Sequence, residues 1–191
     1  MSPARPDAVV ECLQKTFGEP AVIRYRIEGL AFMPPHERIM NYSERLKMLL
    51  DSRGVWHRFI EFDEPVITVQ EAGKKVEVAK IAKSIVMVDS AGDSLLAIVP
   101  AKSKVSHKKI KSLLAVRDVR LASHEEVLKN SGYPVGGVPP FNNIKRVLVD
   151  PQVLKSETAI VGGGDIDKLM EIKTKDIVNI LNAKIADITQ S

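Results

Sequence analysis

The 191 residues contain one cysteine, Cys12, so neither an internal disulfide nor a thiolate zinc cluster can form. Cys12 reads as a small buried or idle side chain. Apolar runs are short: SIVMV and LLAIV fall far below the ~20 residues that span a bilayer. The segment MSPARPDAVVECLQ lacks the continuous apolar core of a signal peptide, which leads us to expect a cytoplasmic protein with no membrane partner. There is no internal repeat and no low-complexity tract. The sequence has no G-x-S-x-G elbow, no Walker motif and no H-E-x-x-H. His36, His57, His107 and His124 are scattered without metal-ligand spacing, so no metal and no cofactor is expected. The run Gly162-Gly163-Gly164 follows a strand-like segment but is not G-x-G-x-x-G, which argues against a dinucleotide site.

What remains is an ordinary globular composition, 45% hydrophobic and 27% charged, suited to one domain with an appendage. Charge is unevenly placed. Between residues 102 and 120, Lys102, Lys104, Lys108, Lys109, Lys111, Arg117 and Arg120 face the single acid Asp118. That stretch nets +6 within a chain of +4, so the rest is slightly acidic. Such a cluster suits either a nucleic-acid backbone or a solvated helix face.

The pattern of apolar and turn residues divides the chain. Residues 1–40 read as an N-terminal extension: a helix over Asp7–Phe17, the strand-like AVIRYRIEGLAF, then the breaker MPPHER. The main domain is expected over 41–191. Leu46, Leu49 and Leu50 recur at helical spacing over Tyr42–Arg53, with Gly54 just past the end. VWHRFIEF follows as a strand. Thr68 and Glu71 form a capping box opening a helix over 69–78. SIVMVD and SLLAIVPA make a hairpin across Ser90–Asp93. Ser106 caps a basic helix to Leu114, VRDVRLA is a strand, and Ser123 with Glu126 is a second capping box. That helix ends at Ser131-Gly132. KRVLVD and TAIVG are further strands, and Thr174 caps a last helix through Asn182. Strands and helices alternate without a regular βαβ period. The expected fold class is α/β, a mixed curved or barrel-like sheet with surrounding helices.

Two features carry chemistry. GYPVGGVPPFN, residues 132–142, packs three glycines and three prolines into eleven positions, and Gly136-Gly137 can aim peptide N–H groups at one point. Lys83, in KIAKSIVMV, begins an apolar strand. Its ammonium either reaches back to solvent or faces the glycine loop and an anionic oxygen. Spacing alone leaves both open.

The order KIAKSIVMV, hairpin, VRLASHEEV, SGYPVGGVPPFN, IVGGGD and AKIADI resembles the YbaK/ProX-type aminoacyl-tRNA deacylases, relatives of the editing domain of bacterial prolyl-tRNA synthetases. The resemblance runs from Tyr42 to Ile188, and TVQEA at 68–72 matches the family's helix-opening segment. It implies a mixed α/β domain that hydrolyses the ester of mischarged aminoacyl-tRNA. The family's essential lysine falls on Lys83 and the small polar residue after it on Ser84. Gly136, Gly137 and Val138 would border the aminoacyl pocket, and the late turn falls on Gly163 and Gly164. The 102–120 segment, through Lys102, Lys104, Lys108, Lys109 and Lys111, would meet the tRNA backbone. Partners implied are the aminoacylated tRNA end and an aminoacyl-tRNA synthetase; the motifs fix no oligomeric state. An activated ester asks for positioned water and a stabilised carbonyl oxygen, which fits a chain without a Ser-His-Asp or Cys-His set. The alternative is a non-catalytic tRNA- or synthetase-binding module of the same fold. Two places depart from the family pattern. The loop ends Phe141-Asn142 where P-F-G is common, and the late turn reads Gly164-Asp165-Ile166-Asp167. Some relatives carry a histidine or aspartate beyond that turn, and Asp165 and Asp167 stand nearby.

Overall fold

The computed structural model describes residues 41–190 apart from 64, 66–71 and 74. The expected elements of residues 1–40 and the capping box at Thr68 and Glu71 lie outside the described residues.

Helix α1 (Tyr42–Ser52) begins where the Asn41 side chain accepts the Glu44 N–H at 2.8 Å, and its apolar stripe buries Leu46 and Leu50. Strand β1 (His57–Glu61) follows. Strands β2 (Ala82–Asp89) and β3 (Ser94–Pro100) form the expected antiparallel hairpin. Its turn is closed by the Asp89 carboxylate, which accepts from the N–H groups of Ala91 and Asp93 and pairs with Arg146 at 2.7 Å. Helix α2 (His107–Leu114) is capped by Ser106, and helix α3 (His124–Ser131) by the complete Ser123–Glu126 box. The short β4 (Val119–Leu121) lies between them. Strands β5 (Val147–Val149), β6 (Thr158–Gly162) and β7 (Lys168–Lys173) come next, then helix α4 (Thr174–Leu181) and β8 (Lys184–Ile185).

The strands form two sheets. One has the order β4-β2-β3-β5-β8, antiparallel through β4, β2 and β3 and parallel from β3 to β5 to β8. The other is antiparallel with the order β1-β7-β6. An isolated parallel bridge between Ile81 and Ile160 brings the start of β2 beside β6. The mixed α/β class expected from the sequence is present; among the described residues the strands do not close into a barrel.

Two strands are absent from the sequence reading. KLMEIK is β7, the centre of the smaller sheet. Its Glu171 is nearly buried, and partners on both neighbouring strands make that tolerable: Thr158 donates to it at 2.7 Å, and Arg58 forms an ion pair with it. These two partners, Thr158 first, hold the Glu171 carboxyl below the usual carboxylate range. The tail strand β8 is two residues long, too short to leave a periodic signal. Thr174 is also not the cap of α4. Lys173 holds that position, and the Thr174 hydroxyl instead donates to the carbonyls of Ser156 and Glu157.

A buried carboxylate helps to hold the C-terminal segment. Asp150 is fully buried, and its carboxylate accepts the Gln152 N–H at 3.0 Å and the Ile188 N–H at 3.2 Å. Asp150→Ala leaves a buried peptide N–H without an acceptor, which costs about 1–3 kcal/mol for each such group. The variant should unfold at clearly lower urea concentration with an unchanged denaturant slope, and its Ile188 amide should lose protection from hydrogen exchange. Asp150→Asn, which keeps one acceptor, should lose less.

Candidate active site

The site forms where two glycine-bearing turns meet the start of β2. The first turn is GYPVGGVPPFN. Helix α3 ends at Gly132, whose left-handed backbone turns the chain into it. Side chains tie the turn down. The Ser131 hydroxyl donates to the Val127 carbonyl and accepts the Tyr133 N–H at 3.1 Å. Asn142 donates to the Pro139 carbonyl at 2.7 Å and accepts the Ile144 N–H at 2.8 Å, so asparagine at this departure from P-F-G is a closing clamp. Tyr133, Val138 and Phe141 are buried in the main core with Ala82, Val86 and Ile98.

The second turn is Gly162 to Asp165, between β6 and β7. The two turns touch backbone to backbone. The Gly164 N–H donates to the Gly137 carbonyl at 2.9 Å. A Cβ on Gly137 would strike the Gly164 carbonyl, and one on Gly162 would lie 2.5 Å from the Val138 oxygen. Only hydrogen fits at these two positions. Gly164 is restricted twice, by its φ of +100° and by α1, whose Tyr42 backbone would lie 2.8 Å from an added Cβ.

Lys83 stands at the start of β2, two residues after the bridge to β6. Ile81 and Ile160 are bridged and share one apolar cluster; Lys83 and Gly162 each lie two residues further along their strands. Side chains alternate faces along a strand, so Lys83 leaves β2 on the face of Ile81. Among the described residues no carboxylate pairs with Lys83. Burial holds its ammonium below the ordinary lysine range, and the positive charge of Lys104 adds to the effect.

Ser84 points to the opposite face, the side of Ala82 and Val86, and pairs with Ile98 across the hairpin. Its hydroxyl is buried with no hydrogen-bond partner among the described residues. The structure thus brings Gly137, Val138 and the late turn together, and it is the Ser84 face of β2, through Ala82 and Val86, that shares a core with Val138. The amides also differ from the expected nest. The Gly137 N–H is used by the Pro134 carbonyl at 3.1 Å, and that of Gly163 by Lys168 at 3.0 Å. Among the described residues, those of Gly136 and Val138 have no such acceptor.

Helix α1 grips both turns. Asp165 accepts the N–H groups of Tyr42 at 3.3 Å and Ser43 at 3.1 Å. Arg45 donates to the Gly132 carbonyl at 3.1 Å, with its guanidinium 5.2 Å from the Tyr42 ring centre and 5.7 Å from that of Tyr133. Sequence reasoning missed this grip, since its partners lie 87 to 123 residues apart.

The basic segment is partly neutralised. Lys109 pairs with Asp187 at 2.8 Å, Lys111 with Asp118 at 3.4 Å, and Arg120 with Glu126 at 2.7 Å. The Arg120 pairing lowers the Glu126 carboxyl to about 2. Among the described residues, Lys102, Lys104, Lys108 and Arg117 have no such partner. An open groove of about 820 Å³ lies beside α2, between Lys108, Lys109 and the tail at Asp187 and Gln190; Lys83 and the glycine turns do not line it.

Known proteins resemble this chain in sequence and in fold. Residues 63–180 match the family model described as the aminoacyl-tRNA editing domain. The chain is 33% identical over 104 residues to a proline–tRNA ligase of Thermotoga neapolitana, covering 53% of this chain and 18% of the ligase. It is 25% identical over 137 residues to the uncharacterised protein YwhH of Bacillus subtilis, covering 68% of this chain and 87% of YwhH. A solved structure described as a candidate trans-editing enzyme for prolyl tRNA synthetase superposes with a TM-score of 0.72 at 26% identity, covering 81% of this chain and all of that one. The chain therefore spans under a fifth of the ligase it matches but nearly all of the two smaller relatives. With the family model matched over more than half its length, this chain belongs to the aminoacyl-tRNA editing domain family.

Proposed function

We propose that residues 41–191 form a trans-editing hydrolase that cleaves the ester of mischarged aminoacyl-tRNA in the cytoplasm, with residues 1–40 as an N-terminal extension. The observation that carries this reading is the meeting of the two glycine turns beside the start of β2, where Lys83 is a half-buried cation free of any carboxylate among the described residues. The names of its relatives support the substrate class: an editing domain, a proline–tRNA ligase and a candidate trans-editing enzyme for prolyl tRNA synthetase.

In this reading Lys83 is the catalytic residue. Its ammonium contacts the ester carbonyl or the terminal phosphate, where negative charge sits or develops. The ribose hydroxyl beside the ester helps to hold a water, and the protein supplies position in place of a nucleophile. Gly136, Gly137 and Val138 line the aminoacyl pocket, with the N–H groups of Gly136 and Val138 available to orient the substrate. Gly163 and Gly164 form its second wall. Ser84 is a further substrate contact, its buried hydroxyl satisfied when a ligand binds. Lys102, Lys104 and Lys108 meet the tRNA backbone, assisted by Lys109 and Lys111. The second reading, a non-catalytic tRNA- or synthetase-binding module, draws on the exposed cations around α2, which need no chemistry to bind phosphate.

A panel of mischarged tRNAs separates the two readings. Hydrolysis of at least one, abolished by Lys83→Ala with the fold retained, supports the enzyme; tRNA binding without hydrolysis supports the module. Ser84→Ala removes an unsatisfied hydroxyl, so its melting temperature should hold or rise while deacylation falls. A parallel loss of both would assign Ser84 to the fold alone. If Lys83 acts as a cation, the rate should decline below the ordinary lysine range as pH rises and the ammonium is lost. Lys104→Ala removes a neighbouring charge that lowers the Lys83 pKa, so the decline should move to higher pH after subtraction of spontaneous hydrolysis. The stability sign is the reverse. In the window between the folded and unfolded Lys83 pKa the unfolded chain binds more protons, so Lys83 favours folding increasingly as pH rises through it. Affinity for tRNA should fall steeply with salt, and a flat response counts against the basic contact surface.

A further inference from the structure

Asp165 stands beside the site, and its carboxylate is committed elsewhere. Its two oxygens accept the N–H groups of Tyr42 and Ser43, the first residues of α1, from more than 120 positions away in sequence. Lys168 is close enough for Asp165 to raise its pKa, yet Lys168 pairs with Glu61 at 3.1 Å and leaves Asp165 to the helix. The contact is tight on both sides, because the Tyr42 and Ser43 backbone abuts Gly164. Gly164 in turn donates its N–H to Gly137 in the other turn. A continuous chain of contacts therefore runs from the first turn of α1 through Asp165 and Gly164 to the Gly137 carbonyl.

We propose that Asp165 is a positioning residue of the site. Resting on the editing reading above, it acts through Gly164, holding the late turn against α1 so that the 137–138 peptide keeps its place in the site. It touches neither ester nor water. The same helix end supplies a control. Asn41 also caps α1, accepting from the Glu44 N–H and the Ser43 hydroxyl, and among the described residues its side chain makes no hydrogen bond to the glycine turns. Removing either cap weakens the helix; only removing Asp165 frees the turn.

The experiment compares full-length wild type, Asp165→Ala, Asp165→Asn and Asn41→Ala at a temperature where all are folded. Hydrogen exchange at the Gly164 amide is the first readout, and hydrolysis of a mischarged tRNA the second. Asp165→Ala should speed Gly164 exchange at least tenfold and lower kcat by roughly ten- to a hundredfold with KM little changed, the scale of a small misplacement of reacting groups. Asp165→Asn keeps an acceptor and should recover most of both, while Asn41→Ala should match wild type in both despite a lower melting temperature. Three results overturn the proposal: unchanged Gly164 exchange in Asp165→Ala, loss in Asn41→Ala equal to that in Asp165→Ala, or an Asp165→Asn variant as inactive as Asp165→Ala. If wild type hydrolyses no mischarged tRNA, the editing reading fails, and the exchange data still decide whether Asp165 holds the turn.

Discussion

The site depends on a backbone contact. The turn around Gly137 and the turn around Gly164 approach until a carbonyl of one occupies the space where a side chain of the other would stand. Glycine costs conformational entropy, and prolines at 134, 139 and 140 reduce the freedom of the first turn before folding. The chain spends specialised residues here because the contact sets peptide groups, rather than side chains, against each other. Peptide dipoles on a crowded backbone reorient little, which is what a site that works by position requires.

Around that contact the cations divide into two kinds. Lys109, Lys111 and Arg120 are matched by carboxylates, and exposed pairs of this type contribute little to stability. Their effect is to tie α2 and β4 to neighbouring segments and to mute part of the positive field. Lys83 lacks such a partner among the described residues, and partial burial disfavours its charge. An unpaired cation drawn partly out of water is costly to a fold unless an anion arrives with the substrate. That asymmetry separates the cation suited to chemistry from those suited to surface contact, and composition alone grouped none of them this way.

Much of the fold was legible beforehand. The hairpin, the capped helices α1, α2 and α3 and the strand TAIVG follow from local rules, because capping boxes, turn residues and apolar periodicity act within a few positions. Strand β7 was not. Its alternation is interrupted by Glu171, and that carboxylate is acceptable in a sheet centre only because Arg58 and Thr158 flank it from distant segments. Thr174 was misread as a cap for a similar reason, since its hydroxyl is taken by carbonyls 17 and 18 residues earlier.

The residue types and order of the site, Lys83 and the two glycine turns, were determined by the sequence, because a motif carries its chemistry wherever the chain puts it. Which faces they share was a tertiary decision. It rested on the Ile81–Ile160 bridge, on the collision that forbids a Cβ at Gly137 and Gly162, and on a carboxylate reaching back to a helix begun more than a hundred residues earlier. Adjacent in sequence, Lys83 and Ser84 part because neighbouring residues of a strand face opposite ways. Distant in sequence, Gly137 and Gly164 meet because only hydrogen side chains let two backbones come so close.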